Sequence, residues 1–232
     1  MKKNYIVIGL GNFGLALSTR LTKLGHEVIG VDSSLSKVEQ YKDEITNTIC
    51  LDATDAHAIS MLPLKDADAV IVAIGEDFGA SVKVTAILKQ KKVKRLVSRA
   101  ISTLHRTVIE AIGVDEILNP ESISAEAFSN NLHYESIKNS YRIDDSYIIL
   151  EVPVIEKYWD TTLENADLTG RFDIKVITVK REEQRVNIFG INKMQHTVIK
   201  NITNSFVLLK GDIFILFGSN DAFDKMFRID SQ

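Results

Sequence analysis

Residues 5–14 read YIVIGLGNFG, and residues 26–32 read HEVIGVD. An apolar run that breaks into G-x-G-x-x-G and then into a helix uses each glycine differently. Gly9 makes the tight turn, Gly11 lets a pyrophosphate approach the backbone, and Gly14 lets the helix pack closely on the strand. The helix start, at Asn12 and Phe13, then presents unpaired N–H groups and the positive end of its dipole to an anion. Leu17, Leu21 and Leu24 follow at helical spacing, and Gly25 stands where a helix stops. Val28, Ile29 and Val31 form a β-branched run that ends on Asp32 and Ser33. A carboxylate there accepts hydrogen bonds from a ribose hydroxyl, which completes a strand–helix–strand nucleotide unit.

The alternation continues outward, with further strands predicted at residues 48–51, 69–74, 95–98 and 116–118 and helices between them. Short buried strands alternating with helices imply a parallel sheet covered on both faces and joined by right-handed crossovers. The expected class is α/β, a doubly wound Rossmann-like domain. Ligands of such sheets lie beyond the strand C-termini, so the candidate site gains Asp52, Ala53 and Thr54, then Ala73, Ile74 and Gly75, and finally Arg99 and Glu121.

Asn119 and Pro120 interrupt the pattern, and residues 122–139 read as a helix with Ile123, Ala127, Phe128 and Leu132 on one side. Domain boundaries are expected at 1–138, including this connector, and 139–232. In the second, small α+β domain, strands are predicted at 146–154, 174–179, 185–189 and 214–217, with helices near Leu163 and over 220–228. The charged run 180–185 reads as the solvated cap of a hairpin.

The 232-residue chain carries a formal net charge of −3, which argues against general polyanion binding. Its densest basic cluster, Lys89, Lys91, Lys92, Lys94 and Arg95, reads as cations gathered at a helix C-terminus. The single cysteine, Cys50, excludes an internal disulfide and reads as a buried structural thiol in a reducing compartment. No apolar run approaches the ~20 residues of a membrane helix, and residues 5–10 lead into the glycine turn rather than a cleavage site. A cytoplasmic protein is expected.

Reaction chemistry is not visible. His26, His57, His105, His133 and His196 are scattered, and none falls in a metal-ligand spacing. No catalytic residue and no metal site are assigned. A small NAD-dependent oxidoreductase remains an alternative, but it needs a substrate domain and a proton-transfer group near the nicotinamide. A free-standing nucleotide or redox sensor is a third reading.

The ordered segments VIGLGNFG, GVD, LDATD, AVIVAIGED, VSRA and IGVDEILNPE, followed by LKGDIFILFG, resemble the regulator-of-K+-conductance family, specifically the Trk/Ktr-type subunits of bacterial potassium transporters. The resemblance covers nearly the whole chain. It implies a non-enzymatic cytoplasmic gating subunit, at the inner face of the membrane through an integral-membrane transporter partner, that dimerises and assembles into a ring, commonly an octamer. It also implies that the glycine turn and Asp32 hold phosphate and ribose, that Asp52, Ala53 and Thr54 lie by the base, and that Arg99 faces phosphates. Glu121 is then near the phosphates and, in some members, a cation. Two departures bear on ligands. Asn12 stands where ATP-sensing members often carry arginine, so the expected cofactor is an adenine nucleotide, NAD(H) or ATP/ADP. Glu164 and Thr169 replace an apolar residue and an arginine of cyclic di-AMP binders, which argues against that ligand.

Overall fold

The computed structural model describes residues 1–134, 137–186 and 192–230, and the chain divides into two compact units, Met1–Ser122 and Ile123–Gln232. In the first, six parallel strands are β1 (Asn4–Ile8), β2 (Glu27–Asp32), β3 (Asn47–Cys50), β4 (Ala69–Val72), β5 (Leu96–Arg99) and β6 (Glu116–Leu118). They lie in the order β3-β2-β1-β4-β5-β6. Between them run the helices α1 (Asn12–Lys23), α2 (Leu35–Tyr41), α3 (Ala56–Ile59), α4 (Phe78–Gln90) and α5 (Thr103–Ile112). The two-residue strand period sends Ile6, Ile8, Val70 and Val72 to one face, where they meet Ile59, Val84 and Leu88. Val7, Val28, Ile71 and Val97 point to the other, with Leu10. Both faces are therefore covered, as expected for a doubly wound sheet, and the order in which strands are added reverses between β1 and β4. That reversal opens a crevice beyond their carboxyl ends.

The second unit is an antiparallel sheet, β10-β9-β11-β8-β7, built from β7 (Asn139–Arg142), β8 (Tyr147–Pro153), β9 (Lys175–Val186), β10 (Asn192–Val198) and β11 (Ile213–Ser219). Its core joins Leu150, Ile174, Val179 and Leu216 to Phe172 and Phe223 from the short helix α8 (Leu168–Phe172) and from α9 (Asn220–Asp230). α7 (Leu163–Ala166) and a 3-10 turn (Glu156–Tyr158) complete it.

Four sequence expectations differ from the structure. The helix read over 122–139 is α6 (Pro120–His133), and Asn139 begins β7, because Asn139–Arg142 pairs antiparallel with β8. From Ile123 onward α6 belongs to the second unit: Ser140 Oγ donates to the Ala127 carbonyl at 3.3 Å and Arg142 Nη1 to Glu126 at 2.9 Å. The apolar side expected on α6 is exposed at Ile123, Phe128 and Leu132. The charged run 180–185 lies inside β9 rather than at a turn; of the strand read at 185–189, residues 187–189 lie outside the described residues. Cys50 is exposed, because it ends an edge strand, and its Sγ sits 3.6 Å from the Ser33 carbonyl.

The run inside β9 supplies ion pairs. Lys180 Nζ reaches Glu151 at 2.6 Å, and Asn139 Nδ2 donates to the same carboxylate at 3.0 Å. Burial alone raises the Glu151 carboxyl, but the hydrogen bonds from Lys180 and Asn139 and the Lys180 charge outweigh it and hold the group below its ordinary value. A depressed folded pKa contributes stability above the unfolded pKa, near ~4.3, and loses it as pH falls through the folded value. Denaturant unfolding of wild type and Glu151→Gln should differ most near neutrality and converge in acid; a constant gap would remove ionised Glu151 as the cause.

Candidate functional site

The glycine turn is built as its spacing requires. Gly9 has φ +98 and donates to the Val31 carbonyl at 2.7 Å, which fixes the turn against β2. A Cβ on Gly14 would stand 1.9 Å from the Gly9 carbonyl oxygen, so only glycine lets α1 approach β1 this closely. A Cβ on Gly11 would meet nothing within 4 Å. The backbone there faces open space, the clearance that an approaching phosphate needs.

Helix caps sharpen the point. Ser34, Asp55, Asp77 and Ser102 accept from first-turn amides of α2, α3, α4 and α5. α1 has Gly11 at its N-cap and so no side-chain cap, and its first helical bond runs from Leu15 N to Gly11 O. The preceding amides thus have no intrahelical acceptor and are left for an anion.

Beside this turn is a cavity of about 230 Å³. Ten of the fifteen expected site residues line it: Gly9, Gly11, Asp32, Ser33, Asp52, Ala53, Thr54, Ala73, Ile74 and Gly75. Asp32 is held there by two backbone amides, Leu10 N at 2.7 Å to Oδ2 and Ser34 N at 2.9 Å to Oδ1. Asp52 folds into a tight side-chain turn, accepting from Thr54 N at 2.9 Å and Thr54 Oγ1 at 2.8 Å. Those bonds, the backbone one first, hold its carboxyl below the ordinary value and keep it an acceptor.

The other five do not line the cavity. Asn12 is exposed and faces a separate depression with Thr19, Arg20 and Lys23. Phe13 and Gly14 lie in the first turn of α1, and Arg99 packs 5.7 Å over the Phe13 ring and pairs with Glu121. The cavity also includes Lys37, Glu76 and Asp77, which the sequence reading passed over. Lys37 Nζ is 3.8 Å from Asp32. Asp77 is committed as the cap of α4 through Ala80 N at 2.8 Å. The β4 C-terminal loop, followed two residues further through AIGED, points to the latter pair.

No histidine lines the cavity. His105 is buried in α5, where desolvation lowers its pKa and its Nδ1 accepts from Ile101 N at 3.3 Å. Among the described residues no cluster of three or more His, Cys, Asp or Glu could hold a metal ion, and no helix is long and apolar enough to cross a membrane.

Strand order, glycine turn and crevice define a doubly wound, Rossmann-type protein that carries a separate α+β unit. The chain belongs to the TrkA-N domain family, whose model matches residues 5–120. Ktr system potassium uptake protein C of Bacillus subtilis is 29% identical over 219 residues, 94% of this chain and 93% of that protein. Ktr system potassium uptake protein A of Vibrio alginolyticus is 27% identical over 219 residues, 94% of each. Among solved structures, the RCK domain of GsuK matches with a TM-score of 0.62 and 14% identity, over 98% of this chain and 47% of that one. The GsuK channel bound to NAD matches at 0.60 and 14%, over 96% and 38%. The chain spans less than half of those GsuK chains, and the likeness shows the fold. The resemblance carried by the ordered sequence segments is thus found in family, curated relatives and fold alike.

Proposed function

We propose that this chain is a nucleotide-binding regulatory subunit of a potassium uptake system, acting in the cytoplasm on an integral-membrane transporter partner and catalysing no reaction. The observation that carries the reading is the near full-length match to a Ktr system potassium uptake protein, which includes both units. The cavity supports it. Three of its carboxylates, Asp32, Asp52 and Asp77, are engaged as acceptors for neighbouring amides or a hydroxyl, and in these three the arrangement suits holding a ligand rather than exchanging protons with it. The residues fit an adenine nucleotide, NAD(H) or ATP/ADP: uncapped α1 amides and open space at Gly11 for phosphate, Asp32 for ribose, Asp52–Thr54 for the base.

A ligand gates only by binding one conformation better than another, and moving a two-state equilibrium from 1:99 to 99:1 takes about 5.5 kcal/mol of differential affinity. Self-association into dimers and a ring lets several sites share that requirement. A thermal-denaturation panel with ATP, ADP, NAD and NADH tests the ligand: at 100 times its dissociation constant a binder adds about 2.7 kcal/mol of apparent stability. No stabilisation by any of the four, in protein freed of copurified ligand, defeats the nucleotide reading. Potassium uptake by cells carrying the candidate transporter, with and without this chain, tests the partner.

A further inference from the structure

Arg99 ends β5, Glu121 stands in the first turn of α6, and the two form an ion pair. The arginine is the enclosed member, its side chain 16% exposed against 59% for the glutamate. Its guanidinium lies against the cavity wall: a Cβ on Gly75, which lines the cavity, would stand 2.5 Å from Nη1. It also lies over Phe13, in the first turn of the uncapped helix α1.

A guanidinium offers five donors in a planar fork suited to bidentate acceptors. Glu121 takes Nη2, while Arg99 Nε is buried without a hydrogen bond among the described residues. The present partner therefore satisfies the fork in part, from a solvent-exposed position where ion pairs contribute little. A phosphate brings more charge and bidentate geometry to the same fork. Glu121 is not required to start α6: Asn119 Oδ1 already accepts from Ser122 N at 3.2 Å, and Pro120 fills the first helical position.

We propose that Glu121 is a resident competitor for Arg99, displaced from the guanidinium by the phosphate of a nucleotide bound at the glycine turn. The carboxylate then lowers the affinity of every phosphorylated ligand by a common factor. By linkage, phosphate binding also releases the first turn of α6 from the end of β5. The proposal rests on the nucleotide reading of the same cavity.

Calorimetric titration of the full chain with ADP and with adenosine tests it. Glu121→Gln should bind ADP about twofold to fivefold more tightly than wild type and leave adenosine unchanged. In an Arg99→Gln background, where ADP binds more weakly, Glu121→Gln should have no further effect. Unchanged or weaker ADP binding by Glu121→Gln overturns the competition and leaves the nucleotide site standing. Equal tightening of adenosine also overturns it, since the effect would not run through phosphate. A wild-type chain that binds no nucleotide overturns both.

Discussion

Replacing Gly14 by Ala is expected to destabilise the first unit by about 3 kcal/mol and to abolish nucleotide binding. The new Cβ would stand 1.9 Å from the carbonyl oxygen of Gly9 and 3.1 Å from the Ala73 Cβ. Neither neighbour is the free end of a flexible side chain. Gly9 is tied to Val31 by a 2.7 Å backbone bond at φ +98, so relief requires moving the turn or the whole of α1. Gly11→Ala separates folding from binding at the same turn. Its Cβ meets nothing within 4 Å, and losing glycine at an N-cap costs about 1 kcal/mol, so the fold should persist. The methyl group would nevertheless fill the space above the α1 amides, and nucleotide affinity should fall about 100-fold, the scale of a charge-assisted hydrogen-bond set lost together. Urea unfolding and nucleotide titration of both variants check the pair. Wild-type affinity in folded Gly11→Ala would take the phosphate away from this turn.

The glycine turn was legible in sequence because its three positions are fixed by backbone geometry, which residue identity reports directly. The strand ends were legible for a related reason. Once β1 to β6 are placed by apolar runs, topology alone brings Asp32, Asp52–Thr54 and Ala73–Gly75 to one edge. Lys37 was not, because its place depends on where α2 begins. The Ser34 cap sets that start and brings the ammonium back to 3.8 Å from Asp32. Topology marks Arg99 and Glu121 each as ligand contacts, whereas their pairing is a fact of packing that spacing does not carry.

The second unit was read less well, for a different physical reason. β7 and β10 are edge strands with polar sequences, NSYR and NKMQHTV, and their strand form comes from pairing with β8 and β9 rather than from β-branched runs. The core strands β8 and β11, rich in buried Ile, Leu, Val and Phe, match the sequence expectation within one and two residues respectively. Sequence alone extends the connector to 139 because residues 122–139 hold no glycine or proline, whereas Asn139 is committed to a strand by pairing with Glu151 of β8, which helical spacing does not report.

Asp32→Ala should both loosen the fold and erase ribose recognition, and the two effects can be separated. The carboxylate is 9% exposed and bridges the glycine turn and the loop after β2, through Leu10 N at 2.7 Å and Ser34 N at 2.9 Å. Alanine leaves the amide of Leu10, a residue 1% exposed, without its acceptor, at a cost of about 2 kcal/mol. Asparagine is a poor rescue. One of its two terminal atoms is a donor, so it must face one of these two amides with the wrong polarity. Weaker binding of any nucleotide is expected from either variant, since the turn it rigidifies is the proposed phosphate cradle. Ribose contact is diagnosed by selectivity instead. Wild type should prefer ADP to its 2′,3′-dideoxy analogue by about tenfold, the scale of one or two hydrogen bonds to a charged group, and Asp32→Ala should bind the two alike. A preference that survives the substitution would leave Asp32 as the tie between two loops and assign the ribose to another acceptor of the cavity. Equal affinities in wild type as well would show that the sugar hydroxyls are not read at all.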